Sequence, residues 1–369
     1  MIATLPRRPS TRFTLPDELS ASGPPEALGL ARDEVRLLVA DERATTHARF
    51  RELQRFLTPG DLLVVNTSRT VPAAVDATRE SNGAPVVVHV STTLADGDHV
   101  VELRSAPDAS RPVLDATPGE RLRLASDRPP KHPATTLTLL SPYPRDSDRN
   151  RLWRARAAGD LKDLLARAGR PVRYGYVTDR WPLADYQTVF ATEAHAAPGS
   201  GPDGSAEMPS AGRPFSAELV TRLVSRGVLM APITLHTGVS SQDSGEPPLA
   251  EWFQVPESTA ALVNWARERG RRVIAVGTTA TRALESAAGP DGLVTAAEGW
   301  TDLVLSPERP ARTVDALLTG LHAPEASHLL LLEAVAGPEL TQRVYDAALD
   351  RRYLWHEFGD VSLLLPDRP

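Results

Sequence analysis

No cysteine occurs in the 369 residues, which removes disulfides, thiolate nucleophiles and cysteine-based zinc sites together. Lysine is almost as scarce. Lys131 and Lys162 stand alone, in or beside loop-like sequence, so a buried Schiff-base lysine is not expected. No apolar run approaches the length of a membrane span, and "MIATLPRRPSTRF" lacks the apolar core of a signal peptide. A cytoplasmic protein with no membrane partner is therefore expected. There is no G-x-S-x-G elbow, no Walker loop and no H-E-x-x-H or similar metal spacing. A net charge of −6 argues against a protein that coats nucleic acid. It leaves room for an arginine patch that touches a small part of an RNA.

What is present reads as two textures. From Val35 to Asn66 the pattern predicts a strand ("VRLLVAD"), an amphipathic helix ("ARFRELQRFL") and a second strand after a turn ("PGDLLVVN"). Six short strand-like segments follow: "VPAAVDATR", "PVVVHVSTT", "HVVELRSA", "ERLRLA", "TTLTLLS" and "RLWRARA". Turn chemistry such as "SNGAP" and "TPGE" separates them, which predicts a small closed barrel. After "DLKDLLARAGRP" helix and strand alternate again, with "VLMAPITLH", "RRVIAVG", "TDLVLS" and "DVSLLL" as strands. The expected fold is α/β: a discontinuous α/β domain (1–66 and 159–369) with a β-barrel domain inserted at 67–158. "HAAPGSGPDGSAEMPSAGRP", His195 to Pro214, is rich in Gly, Pro, Ser and Ala and predicts a mobile loop.

Open α/β sheets bind ligands at the C-terminal ends of their strands, and several polar groups fall there. His236 ends "APITLH". In "RRVIAVGTTATRALES" an apolar run too short for a helix ends at Gly277, and Thr278 and Thr279 can cap the helix that follows. Free N–H groups at that helix start suit a carboxylate or phosphate. Each residue also has a plainer reading. Arg282 and Glu285 fit a surface ion pair, Asp315 a helix cap, His322 a hydrogen-bonded core histidine, and Trp252, Phe253 and Trp265 core or rim aromatics.

Nine segments in order, from "FTLPDEL" to "FGDVSLLL", resemble the S-adenosylmethionine:tRNA ribosyltransferase-isomerases of queuosine biosynthesis. They include "FRELQRFLTPGDLLVVNTSRTVPA", "DYQTVFA", "PSAGRPFS", "EWFQVPE" and "VDALLTGLHAPEAS". The resemblance implies S-adenosylmethionine as a co-substrate that donates its ribosyl unit to an aminomethyl-deazaguanine in the tRNA anticodon loop. Adenine and methionine leave, epoxyqueuosine forms, and no metal is needed. Carried onto this sequence, the motifs imply catalytic roles for His236, Glu251, His322 and Asp360. They imply S-adenosylmethionine contacts from Gly277, Thr278, Thr279, Arg282, Ser210, Gly212 and Gly238. Acceptor contacts fall to Arg69, Tyr186, Gln187 and Asp315.

A monomer is expected. The scaffold segments match better than the pocket segments. The family's "PTAGLHF" is here Pro209 to Phe215 with Pro214 in place of histidine, and "HVGxGTF" is "HTGVSSQ". "MHSE" keeps only Glu251, and "NDTRVIPAR" keeps Asn66, Arg69 and Pro72, whereas "TNFHLP" keeps His322. Two other readings fit such a pattern: a paralogue acting on a small-molecule acceptor, and an inactive RNA- or nucleotide-binding protein.

Overall fold

The computed structural model describes residues 8–126, 134–144, 150–192, 203–239 and 246–367. Its strands are β1 (Arg36–Asp41), β2 (Thr45–Arg49), β3 (Leu62–Asn66), β4 (Ala74–Arg79), β5 (Pro85–Thr93), β6 (His99–Ser105), β7 (Arg121–Leu124), β8 (Thr136–Pro142) and β9 (Leu152–Ala158). After α1 (Leu161–Ala168) and α2 (Ala217–Ser225) come β10 (Leu229–His236), β11 (Glu251–Val255), α3 (Glu257–Glu268), β12 (Val273–Val276), α4 (Thr278–Ala287) and β13 (Ala297–Thr301). The chain closes with β14 (Ala316–Gly320), α5 (Ser327–Ala336), α6 (Pro338–Asp350) and β15 (Val361–Leu365).

The fold is α/β, a discontinuous α/β domain with a small barrel inserted. Nine strands form one sheet in the order β13-β11-β10-β3-β12-β14-β15-β1-β2, and β4-β5-β6-β9-β8-β7 close into the barrel. All six barrel segments read from the sequence are strands of it. The sheet centre explains its sequence. In β3, Leu62 and Val64 pack with helices α3 to α6, while Leu63 and Val65 pack with α2 and Phe50 on the other face. Both faces are covered, so the strand is apolar throughout instead of alternating. β12 lies parallel to both β3 and β14, as its run of four apolar residues predicts.

The structure corrects three local expectations. "ARFRELQRFL" is not an α-helix: Ala48 and Arg49 end β2, and Phe50–Arg55 is a 3-10 helix that buries Phe50 and Leu53. Glu52 accepts from the Arg49 N–H at 2.9 Å and holds this short turn. "TDLVLS" is not a strand beyond Thr301, because the carbonyls of Thr301 and Leu303 accept from the Arg282 guanidinium instead of a ladder partner. Finally, 193–202 lie outside the described residues, but much of 203–214 is buried, with Ser205, Ala206, Met208, Ala211 and Arg213 in the interior.

Candidate active site

The parallel strands β3, β10, β12 and β14 end along one edge of the sheet, and a cleft of ≈ 220 Å³ opens there. Gly277, Thr278 and Thr279 line it from the start of α4, Ser210 from a 3-10 turn, and Thr319 to His322 from the end of β14. Gly277 adopts φ 93° and is itself the N-cap of α4; no side chain caps that helix, contrary to the role expected of Thr278 and Thr279. The Thr279 hydroxyl instead accepts from Asn66 Nδ2 at 3.2 Å. An N-terminus left without a side-chain cap and facing a cleft favours an anionic group there.

A second, smaller chamber adjoins the first, sharing Thr237, Thr278, Thr279 and His328, with Glu251 and Arg282 in its wall. Arg282 is nearly consumed by the protein. It pairs with Glu251 and donates to the carbonyls of Leu249, Thr301 and Leu303 at 3.1–3.2 Å. Burial pushes the Glu251 carboxyl up, and Arg282 opposes it. Glu285, the expected surface partner of Arg282, is buried and accepts from the N–H groups of Arg312, Thr313 and Val314. Thr237 Oγ1 is buried between the chambers with no hydrogen-bond partner among the described residues.

Among the described residues, His322, His328 and His356 line this space and His236 lies behind it, and all four are held neutral. His322 stacks parallel on His328 at 4.6 Å, and its Nε2 lies 3.0 Å from Thr319 Oγ1. Its backbone is fixed from both sides, N–H to Tyr345 Oη and carbonyl from Trp355 Nε1. His236 stands behind the cleft wall, stacked on Trp252 and bonded through Nδ1 to Ser68 Oγ at 2.8 Å. Burial pushes His236, His328 and His356 down to about 4, and burial together with His328 and His356 holds His322 lower than usual. Glu357, like Glu251, goes the other way: burial lifts its carboxyl to about 7.

These shifts set the acid stability. Unfolded imidazoles titrate near 6.5, so between pH 6.5 and about 4 the unfolded chain binds more protons at these sites. Stability therefore falls as pH drops through that window. Glu357 acts oppositely, its contribution being full below 4.5 and lost as pH rises through 7. Four lowered histidines outweigh the two raised carboxyls, Glu357 and Glu251. Urea midpoints measured across this range should fall with acidification, and His328→Gln should make the slope shallower; an unchanged slope would refute the assignment.

The chain matches the family model described as "Queuosine biosynthesis protein" over residues 9–364. The chain belongs to this family. It is 35% identical to an S-adenosylmethionine:tRNA ribosyltransferase-isomerase from Symbiobacterium thermophilum, over 96% of this chain and 98% of that one. A relative of the same description from Gloeobacter violaceus is 34% identical, over 96% of this chain and 94% of its own. The crystal structure of S-adenosylmethionine tRNA ribosyltransferase from Thermotoga maritima covers 96% of this chain and 99% of its own, with 28% identity and a TM-score of 0.50.

The family motifs do not all converge. Ser210, Tyr186, Gly277, Thr278, Thr279 and His322 line the cleft, and Glu251 and Arg282 its side chamber. Asp360 spends its carboxylate on the Arg36 N–H and guanidinium and on the Leu354 N–H, tying β1 to the turn before β15. Asp315 precedes β14, at the sheet edge away from the cleft, and accepts from the Val273 N–H instead of capping a helix. Gln187 pairs with the backbone of Thr70, and Arg69 reaches the Asp203 carbonyl at 3.5 Å. Gly212 is buried beside Thr188, and the Gly238 N–H donates to Glu251, its Cα facing Ser91 of the barrel so closely that a Cβ would lie 2.5 Å from Ser91 Oγ. Sequence reasoning missed Tyr174, Tyr176, Glu207, His328, His356 and Glu357, all lining the cleft. None belongs to a motif with diagnostic spacing; the pair "HE" ahead of "FGD" was the one visible sign.

Proposed function

We propose that this chain transfers and isomerises the ribosyl unit of S-adenosylmethionine onto the aminomethyl-deazaguanine of a tRNA anticodon, releasing adenine and methionine. The observation that carries this reading is the end-to-end match to relatives named for that activity. The cleft fits such a donor. The start of α4 at Gly277–Thr279 suits the methionine carboxylate, and the orphaned Thr237 Oγ1 suits a polar group lodged between the chambers. His322, neutral and fixed at its backbone, would supply a hydrogen-bonding imidazole from the cleft wall. His236 acts as a positioning residue, since Ser68 and Ser205 link its ring to the Thr237 N–H on the cleft wall. Its partners in this reading are S-adenosylmethionine and tRNA, and it works as a monomer in the cytoplasm without a metal.

The test is direct. Purified protein given S-adenosylmethionine and precursor-bearing tRNA should release adenine and methionine in equal amounts, detected by liquid chromatography. Release with a small-molecule acceptor alone would overturn the tRNA assignment, and S-adenosylmethionine binding without release would overturn the reaction.

A further inference from the structure

Three segments distant in sequence meet in one corner of the cleft. The loop after α1 brings Tyr174 and Tyr176, the stretch before Ser210 brings Glu207, and the turn before β15 brings His356 and Glu357. Each carboxylate is paired with a phenol. Tyr174 Oη donates to Glu207, and Tyr176 Oη donates to Glu357 Oε2 at 2.8 Å. The Tyr176 ring lies flat on His356, centroids 4.0 Å apart and planes within 12°, so the phenol cannot swing away freely. His356 holds φ at 73°, a left-handed conformation that a non-glycine residue keeps only when its surroundings impose it. Tyr174 is braced from the barrel, with the Arg104 guanidinium 4.9 Å from its ring centroid and His89 edge-on.

Two tyrosine-backed carboxylates in a cleft are complementary to a cation. The proposed reaction contains one that must also change charge, because the acceptor's aminomethyl group is an ammonium in water and attacks only as the free amine. We propose that Glu357 receives this ammonium and takes its proton, with Tyr176 and His356 as positioning residues and Glu207 as the second carboxylate facing the cation. This rests on the reaction proposed above. In the step one N–H bond breaks and one O–H bond forms on the Glu357 carboxylate. The electron pair stays on nitrogen as the attacking lone pair, and ammonium plus carboxylate become amine plus carboxylic acid.

The surroundings favour Glu357 over its neighbours. His322, His328 and His356 are held too low to draw a proton from an ammonium efficiently near neutral pH. Glu251 is tied to Arg282 in the other chamber. Facing Glu357 are Tyr176 and Tyr186, both held protonated by burial, and Glu207, which raises it. The nearby cation Arg213 is engaged by Glu26 and the Asp185 carbonyl, and Asp360 by Arg36. Glu357 itself is lifted first by burial and then held back by its own backbone and Tyr176.

The experiment uses the full chain and the variants Glu357→Gln and Tyr176→Phe. Infrared difference titration of the free protein should show a carboxyl changing near pH 7 that Glu357→Gln lacks. Tyr176→Phe should move that midpoint upward, since the phenol stabilises the carboxylate. By calorimetry the wild type should bind 7-aminomethyl-7-deazaguanine about tenfold more tightly than its 7-methyl analogue, and Glu357→Gln should erase the preference. With active protein, Glu357→Gln should lower kcat/KM for adenine release about 10²-fold and remove the neutral limb of the pH profile. A Glu357 that titrates in the ordinary carboxylate range, or an amine preference that survives in Glu357→Gln, overturns the assignment. If the wild type releases no adenine with any acceptor, the proposed reaction falls, while the titration and the amine preference still decide the role of Glu357.

Discussion

Arg282→Ala should destabilise the protein by roughly 3–5 kcal/mol, the usual consequence of removing one partner of a buried ion pair. Arg282 and Glu251 keep only 8% and 12% of their side-chain surface exposed. Deleting the guanidinium leaves a buried carboxylate unpaired and the carbonyls of Leu249, Thr301 and Leu303 without their donor. Those acceptors lie on separate segments, so the side chain ties the loop before β11 and the end of β13 to α4. Arg282→Lys should recover little, because an ammonium cannot reproduce a planar fork aimed at four acceptors. Chemical denaturation measures the effect as a fall in midpoint at unchanged slope. A loss below about 1 kcal/mol would mean that the pair behaves like an exposed one and that Arg282 is free for a ligand.

Gly277→Ala carries the second large effect, and it separates stability from binding. At φ 93° and ψ 159° Gly277 occupies a region essentially closed to residues with a Cβ, so alanine costs about 1–3 kcal/mol of strain. The added Cβ would also stand 3.3 Å from the Ala211 Cβ, which lines the cleft beside it. Relief requires the chain to rotate, which turns the first N–H groups of α4 away from the cleft. The affinity for S-adenosylmethionine should therefore fall about tenfold or more by calorimetry, alongside the lower melting temperature. Ala211→Gly in the same chain should relieve the crowding but not the backbone strain. Unaltered affinity in Gly277→Ala would remove the α4 start from the donor site.

The turn at Gly277 shows how far local sequence reaches. Its apolar run, its small residues and the helix after it were all legible, as was the place of that turn at a sheet edge. The identity of the cap was not, because choosing between Gly277 and the threonines depends on Asn66 lying beside Thr279. Arg282 shows the same limit. Three residues from Glu285 on one helix, it looked like half of a surface pair, and only the arrival of β11 and β13 gave it Glu251 and three carbonyls instead. The helix expected at Phe50 failed for a related reason: an i, i+3 pair of buried residues suits a 3-10 turn as well as an α-helix.

By itself the sequence determined the α/β class, the six barrel strands, the long helices and the cleft residues Ser210, Gly277, Thr278, Thr279 and His322. These follow from side-chain periodicity, turn chemistry and motif order, which are properties of neighbours along the chain. Only the tertiary structure decided that Asp360 and Asp315 clamp the sheet, and that Tyr174, Tyr176, Glu207, His356 and Glu357 share one corner. Their meeting depends on how β14 and β15 pair and on how the barrel braces the loop after α1. Their chemistry depends on burial, which lifts Glu357 toward neutrality and holds the histidines uncharged. Neither distance across a fold nor loss of water is written in the spacing of residues along a chain.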